Sequence, residues 1–302
     1  MAELLVAGTV ALDDVRTPFG EVTGALGGSA TYFAYAASFF TDVRLVAVVG
    51  GDFPKEHLEL LGDRGVDLAG VQVADGPTFR WAGEYGYDLN DARTLDTRLG
   101  VLAQFRPELP ERYRRSPFVF LANLDPEIQL DVLRKMERPR LVGLDTMNFW
   151  IDGKREALRE VLRHVDALLV NDAEARMLAG EPNLVRAARL ILGWGPQVVV
   201  VKRGEYGALM ASEGRFFFVP AYPLESVFDP TGAGDTFAGG FMGVLARAGR
   251  ADEATLRRAI VYGAVVASFT VEDFSLNRLQ RLTHAEIEER YRVVGEMMRL
   301  EH

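Results

Sequence analysis

The sequence predicts an α/β fold: a doubly wound, mostly parallel sheet flanked by helices, with a small antiparallel β lid. One observation is a series of short apolar runs that end in Gly, Asn or Asp, namely ELLVAGTV, RLVAVVGG, FVFLAN, RLVGLDT, ALLVND and QVVVVKRG. Such runs are typical of strands that are buried on both faces. Amphipathic stretches of helical period, such as PEIQLDVLRKM and KREALREVLRHV, lie between them. Alternating strands and helices indicate a parallel sheet covered by helices on both faces.

A further observation predicts the lid. Residues 78–106 alternate polar and apolar side chains with a period of two around the turn DLNDA, and residues 14–26 are short, extended and rich in turn residues. This alternation is typical of antiparallel strands exposed on one face, although an ordinary surface hairpin is the alternative. We therefore assign residues 1–13, 27–77 and 107–302 to the α/β domain, and the two alternating segments to a lid inserted in it.

Composition excludes several classes of protein. The chain has 302 residues, of which 48% are hydrophobic, and a net charge of -9, which argues against nucleic acid or an anionic membrane as the main partner. It contains no cysteine, so disulfides, thiolate nucleophiles and cysteine-ligated metals are excluded. The segment MAELLVAGTVALDD has no basic region and only a short apolar run. We expect no signal peptide, no transmembrane segment and a cytoplasmic location.

The ends of the predicted strands indicate where a ligand would bind. In doubly wound sheets, ligands bind beyond the carboxyl ends of the strands. The residues expected on this rim are Asp13, Gly51, Asn123, Asp145, Asn171 and Gly204.

The stretch DPTGAGDTFAGGF predicts an anion site. We expect a helix to begin near Asp235, and Gly232 and Gly234 give the preceding loop conformations that other residues avoid. Amide groups at a helix N-terminus bind anions, and a phosphate undergoing transfer suits such a site. The alternative is that Asp235 is only an N-cap. A cap does not need both glycines, however, and Gly239 and Gly240 inside the helix indicate close packing against another element or a ligand.

Other nucleotide-binding motifs are absent from the sequence. A dinucleotide fingerprint of the form G-x-G-x-x-G fails because Phe237 occupies the sixth position, which disfavours a nicotinamide-dependent oxidoreductase. Neither a Walker-type P-loop nor the protein-kinase signatures occur.

Four motifs together resemble the ribokinase-like family, the phosphofructokinase B-type carbohydrate and nucleoside kinases. They are GGSATYFAYAA, NDAE, VKRGEYG and DPTGAGDTFAGGF, in that order. The resemblance extends over essentially the whole chain. It implies ATP-dependent phosphorylation of a hydroxymethyl group of a sugar or sugar-like molecule, including polyols, with a nucleoside as the alternative acceptor. A non-catalytic sugar or nucleotide sensor on the same fold is an alternative of another class.

The resemblance assigns the catalytic residues. It implies that Asp235 is the base that accepts the hydroxyl proton, and that the amides of Gly232, Ala233 and Gly234 form the anion hole. Because a helix N-terminus makes a carboxylate a weaker base, Asp235 would act late, when the proton has become acidic in the transition state.

The resemblance also assigns the ATP and Mg²⁺ side of the site. Asn171 and Glu174 would serve Mg²⁺, with Glu174 acting through water, and Lys202, Gly204 and Gly207 would line the nucleotide. Two alternatives follow from the residues alone: Asn171 or Asp172 is a helix cap, and Lys202 is a strand-end lysine that extends to solvent.

The acceptor side is where the chain departs most from the family. The residues assigned to the acceptor are Asp13, Gly27, Gly28, Tyr32 and Asn148. Asp13 would bind sugar hydroxyls, with the adjacent Asp14 as the alternative register. Tyr32 stands where many sugar kinases of the family have Asn, so a nucleoside is as consistent with the pocket as a simple pentose.

Two further expectations come from the same resemblance. Asp229 and Thr231 correspond to positions that contribute to a monovalent cation site, so K⁺ is expected beside the anion hole, with other ligands from a loop near residues 271–275. An exposed lid face is also expected to allow a homodimer.

Overall fold

The computed structural model describes residues 3–90 and 92–300. The strands in this part of the chain are β1 (Glu3–Ala7), β2 (Ala11–Thr17), β3 (Gly20–Gly27), β4 (Asp42–Gly50), β5 (Val66–Ala74), β6 (Arg80–Tyr85), β7 (Ala92–Arg98), β8 (Phe118–Leu121), β9 (Leu141–Asp145), β10 (Ala167–Asn171), β11 (Val198–Lys202), β12 (Ala208–Ser212) and β13 (Arg215–Val219). The helices are α1 (Ser29–Ala37), α2 (Lys55–Asp63), α3 (Pro126–Lys135), α4 (Asn148–Gly153), α5 (Arg155–Leu162), α6 (Asp172–Ala179), α7 (Leu184–Leu192), α8 (Ala233–Ala248), α9 (Glu253–Thr270), α10 (Asn277–Gln280) and α11 (His284–Met297). None of these helices is both long enough and apolar enough to cross a bilayer.

The main sheet confirms the predicted fold class. Its strands are ordered β13-β12-β11-β10-β9-β8-β1-β4-β5. Neighbours from β11 to β5 pair in parallel, whereas β12 and β13 form an antiparallel edge. All six predicted apolar runs form strands of this sheet. The sequence pattern did not reveal β5, β12 and β13, which lie at or next to the edges of the sheet and are not long continuous apolar runs.

Hydrophobic side chains on the two faces of the main sheet form two cores. One core is covered by α1, α8, α9 and α11, and in it Phe33 stacks on Phe120 with ring centroids 4.3 Å apart. The other lies under α3, α5, α6 and α7 and includes Val132, Leu158 and Ile191, all fully buried. Burial of each such side chain contributes about 1.5–3 kcal/mol to folding. The two cores fix the carboxyl ends of the parallel strands, from which the candidate site is built.

Glycines inside α8 let this helix approach its neighbours closely, as the sequence predicts. A Cβ at Gly239 would overlap the Phe33 carbonyl of α1, and one at Gly240 would lie 3.1 Å from the Gly263 Cα of α9. The close packing on both sides holds the N-terminus of α8 in one position relative to the sheet.

A second sheet forms the lid, with strand order β3-β2-β6-β7. It consists of two antiparallel hairpins, β2–β3 and β6–β7, joined by a parallel pairing of β2 with β6. Strand β2 begins at Ala11, so Asp13 lies within the lid sheet rather than after the first strand of the main sheet, where the sequence places it. Every residue of β7 is exposed. Pairing of two lids in a homodimer stays a prediction.

Candidate active site

The start of α8 differs from the sequence prediction. The helix begins at Ala233, two residues before the predicted start, and its N-cap is Gly232 with φ 75°. Asp235 is therefore not the cap but lies in the first helical turn. Gly232 is required here because its φ is left-handed and a Cβ would overlap the Tyr32 ring, which packs against it. The capping alternative for Asp235 is thus wrong, and its carboxylate is free for another role.

The amides predicted to form the anion hole are not equivalent. The Ala233 amide donates to the Pro230 carbonyl at 3.2 Å. Within the described residues, the amides of Gly232 and Gly234 have no acceptor. The start of α8 therefore carries two N–H groups that are free to donate to an anion, and the helix dipole also favours an anion there.

Lys202 brings a positive charge to the same point. Its Nζ lies 2.9 Å from Asp145 Oδ2, and the side chains of Lys202 and Asp145 are only 14% and 6% exposed. The same Nζ is 3.0 Å from the position that a Cβ on Gly234 would occupy. Burial lowers the pKa of Lys202, but the carboxylates of Asp145, Glu174 and Asp235 outweigh it, so the net pKa is raised and the amine stays charged. Lys202 therefore does not extend to solvent but lies against the predicted anion hole.

The environment of Asp235 makes its carboxylate more basic than an ordinary aspartate. Burial, reinforced by the nearby Asp145 and opposed by Lys202, raises its pKa to about 7. A base whose pKa lies near the operating pH is the most efficient proton acceptor. The weakening expected from the helix N-terminus is thus more than offset.

Asn171 and Glu174 form a capping box at the start of α6. The Asn171 Oδ1 accepts the Glu174 amide at 2.7 Å, and Glu174 Oε2 accepts the Asn171 amide at 2.8 Å. Asn171 is thus the helix cap that the sequence left as an alternative. Burial, with the charge of Asp145, raises the pKa of Glu174 to about 8. The Glu174 carboxylate fits a divalent cation, because the cation would supply the positive charge that a buried carboxylate needs. The cation would bind the oxygen that is not used in capping, directly or through water.

The turn after β11 packs against two other parts of the chain. Gly207 has φ 80°, and a Cβ there would overlap the Val219 carbonyl. Gly204 has φ 53°, and a Cβ there would overlap Oδ1 of Asn90, at the tip of the lid hairpin β6–β7. Gly207 is therefore required by close packing and Gly204 is favoured by its left-handed φ, and the lid reaches the turn predicted to line a nucleotide.

On the acceptor side, the structure favours Asp13 over Asp14. Asp13 is 4% exposed and its carboxylate lies against the Cα of Gly27, where a Cβ would overlap it. Asp14 instead accepts the Gly24 amide at 2.6 Å and lies 4.0 Å from Arg80. Burial, reinforced by the charges of Asp229 and Asp235, raises the pKa of Asp13 to about 8.

Gly27 and Gly28 lie against other atoms of the protein rather than at an open surface. Gly27 makes room for the Asp13 carboxylate, and Gly28, with φ 95°, lies against the Thr9 carbonyl as the N-cap of α1. Both were assigned to main-chain approach of the acceptor, which stays a prediction.

A lid residue that sequence reasoning missed closes this side of the site. Thr231 Oγ1 donates to the hydroxyl of Tyr85, at the end of β6, at 3.3 Å. Nothing in the sequence indicated Tyr85, since the contact depends on how the lid folds over the main sheet. Asp145 was also missed as a site residue, although its position on the predicted rim was a usable signal.

Asp229, the predicted cation ligand, is buried and bonded to main-chain amides. Its Oδ1 accepts the Thr231 amide at 2.9 Å and its Oδ2 the Ser275 amide at 3.4 Å. The loop that includes Ser275 therefore lies against Asp229. A K⁺ ion bound by Asp229 and Thr231 stays a prediction.

Asn148 lies apart from the other predicted residues. Its side chain is exposed and accepts the amide of the next residue, Phe149, at 2.8 Å. Asn123, just after β8, forms hydrogen bonds with two other segments. Its Oδ1 accepts the indole N–H of Trp150 at 2.9 Å, and its carbonyl accepts the Ser29 hydroxyl, at the start of α1, at 3.3 Å. Within the described residues, no hydrogen bond joins Asn148 to Asp13 or to α8.

Comparisons with known proteins identify the family and several relatives of this chain. A model of the pfkB family of carbohydrate kinases matches residues 9–280. A cytidine kinase of Thermococcus kodakarensis is 36% identical over 255 residues, which cover 82% of this chain and 90% of that protein. A nucleoside kinase of Methanothermobacter thermautotrophicus is 30% identical over 256 residues, which cover 82% and 78% of the two chains. The structure of a Burkholderia thailandensis nucleoside kinase in complex with ADP-inosine superposes with a TM-score of 0.81 at 19% identity, covering 97% of this chain and 96% of that one.

Proposed function

This chain belongs to the pfkB family of carbohydrate kinases and is therefore a phosphotransferase that acts on an alcohol group, and we propose that its acceptor is a nucleoside and its donor MgATP. The observation that carries the choice of acceptor is the 36% identity to a cytidine kinase over 82% of the chain. This relationship favours the nucleoside, which the sequence left as the alternative, over a free sugar or polyol.

In the proposed reaction, Asp235 accepts the proton of the hydroxymethyl group of the ribose. Its raised pKa suits this task, and its position in the first turn of α8 keeps it beside the free amides of Gly232 and Gly234. Those amides and Lys202 stabilise charge on the phosphoryl group during transfer, which depends on positioning and electrostatics more than on covalent help.

The remaining assigned residues bind and orient the reactants. Asp13, buried beside Gly27, would hold the ribose hydroxyls. Glu174 would hold Mg²⁺, which neutralises phosphate charge when bound. Lys202, Gly204 and Gly207 would line the nucleotide.

The proposal is tested by coupled ADP release with MgATP over a panel of cytidine, uridine, adenosine, inosine, ribose and polyols. We expect kcat/KM for the best nucleoside to exceed that for ribose by about tenfold or more, because the base adds stacking contacts that ribose lacks. Preference for ribose or a polyol, with inert nucleosides, would contradict the choice of acceptor. Tight binding without turnover of any compound would instead support the sensor hypothesis.

We expect the pH profile of kcat/KM to have an acid limb, meaning that the activity falls as the pH decreases below about 7. The base must be deprotonated, and burial raises the pKa of Asp235 from 3.8 to about 7, so kcat/KM should rise as the pH increases through this value. The measurement is kcat/KM for the best nucleoside between about pH 5 and pH 9.

The variant Asp145→Asn separates Asp235 from Asp13 as the titrating group. It removes a negative charge that raises the pKa of Asp235 and leaves Lys202, so the acid limb should move to lower pH. Asp145 does not contribute to the raised pKa of Asp13, so a limb set by Asp13 would stay in place. An unshifted limb in this variant would contradict the assignment of Asp235.

A further inference from the structure

One face of the lid sheet points into the site. Alternate residues of a strand share a face, so Trp81, Gly83 and Tyr85 of β6 lie on one side. Tyr85 bonds Thr231 of the main domain, which shows that this side faces inward. In the parallel pairing of β2 with β6, Asp13 is the partner of Trp81 and lies on the same face.

The opposite face of the lid confirms this orientation. Arg80 and Asp14, whose positions alternate with those of Trp81 and Asp13, lie 4.0 Å apart, and each side chain is 36% exposed. The outer face thus carries a solvated ion pair, whereas the inner face carries a buried carboxyl and aromatic rings.

Trp81 is held flat on the inner face. A Cβ at Gly83 would overlap the six-membered ring of the indole, so the ring lies directly on the backbone of its own strand. The indole N–H donates to Thr94 Oγ1 of β7 at 3.2 Å, which satisfies the polar atom of the ring. Gly83 is buried beneath Trp81, but Trp81 itself stays partly exposed.

We propose that Trp81 is the surface on which the base of the nucleoside stacks. Asp13 would hold the ribose on the adjacent strand, about 5 Å away, so a base attached to that ribose reaches the indole. One face of the ring is covered by the strand, and a planar base can cover the other. Since every base has a π-face, the contact selects nucleosides over free sugars while tolerating several bases. This inference rests on the proposed function.

The test compares Trp81→Ala with Trp81→Phe in the full-length enzyme at saturating MgATP. We expect Trp81→Ala to raise KM for the best nucleoside about 5- to 100-fold, the range for stacking of one base on an aromatic side chain. KM for ATP should change by less than about twofold, and Trp81→Phe, which keeps a ring, should raise the nucleoside KM by less than about threefold. An unchanged nucleoside KM in Trp81→Ala would overturn the proposal, as would an equal increase for ribose.

Tryptophan fluorescence gives a readout that does not depend on turnover. Stacked cytidine, or the best nucleoside of the panel, should quench the emission of the unmodified enzyme and of the matched control Trp194→Phe. Trp194 lies outside the lid, after α7, under the Arg159 guanidinium, whose carbon lies 4.1 Å from the ring centroid. The quench should be lost in Trp81→Phe, and its persistence there would overturn the proposal.

A second variant tests the orientation of the Trp81 indole. Gly83→Ala leaves the indole in the chain but forces it off the strand, so we expect the same increase in nucleoside KM as in Trp81→Ala. An unchanged nucleoside KM in Gly83→Ala would contradict the idea that the flat orientation of the indole is needed to bind the base. If the unmodified enzyme phosphorylates no nucleoside, the proposed function fails; if it does and the Trp81 variants behave normally, only the stacking surface fails.

Discussion

Replacing Asp235 with Asn is expected to lower kcat by about 10²–10⁴-fold, the usual contribution of a positioned general base. Asn has the same shape but cannot take the proton. The measurement is kcat for the best substrate of the panel at pH 8, where the native carboxyl is mostly deprotonated.

The Asp235→Asn variant should lose activity without losing stability. Gly232, not Asp235, caps α8, so the helix keeps its cap. The pKa of Asp235 rises from 3.8 to about 7 on folding, so its contribution to stability is fully present below pH 3.8 and is lost as the pH rises toward 7. At pH 8 the uncharged Asn removes that penalty, and the free energy of unfolding should be equal or higher. The surface variant Asp75→Asn serves as the matched control, and full activity in Asp235→Asn would refute the base assignment.

Replacing Lys202 with Met is expected to lower both activity and stability. Activity falls because the charge beside Gly234 is lost, and stability falls because Asp145, with a side chain 6% exposed, is left without its partner. Breaking a buried ion pair in this way costs about 3 kcal/mol. Urea unfolding at pH 7 and at pH 5 measures the loss, which should be smaller at pH 5 because an unpaired Asp145 can take up a proton.

The double variant, Asp145→Asn with Lys202→Met, separates the two effects. With both charges removed, the free energy of unfolding should recover most of the loss, but kcat should stay low. Recovery of kcat would mean that Lys202 acts only as a structural partner of Asp145, and the same stability in the single and double variants would mean that the pair is not coupled.

Local patterns in the sequence predicted the main sheet and the close packing of α8. Continuous apolar runs identify buried parallel strands because both faces of those strands are covered. The pair Gly239 and Gly240 predicted close helix packing because glycine inside a helix is costly unless something needs the space.

Features that depend on how distant segments meet could not be predicted in this way. The ion pair of Asp145 and Lys202 joins the ends of β9 and β11, and β10 lies between these strands, so no spacing along the chain reveals it. The position of Asp13 in the lid follows from a change of sheet after Ala7, within a stretch whose side chains are apolar except for Thr9. The contact of the Tyr32 ring with Gly232 joins α1 to the start of α8, and these segments are about 200 residues apart in the sequence.

The contact of the lid tip with the turn after β11 links the two halves of the site. Asn90 lies against Gly204 on the side proposed for the nucleotide, and Tyr85 of the same hairpin bonds Thr231 on the acceptor side. Because one pair of hydrogen-bonded strands carries both contacts, a displacement that frees one also disturbs the other. We therefore expect that a ligand which moves the hairpin at one half changes the binding affinity at the other, and such a linkage would be reciprocal.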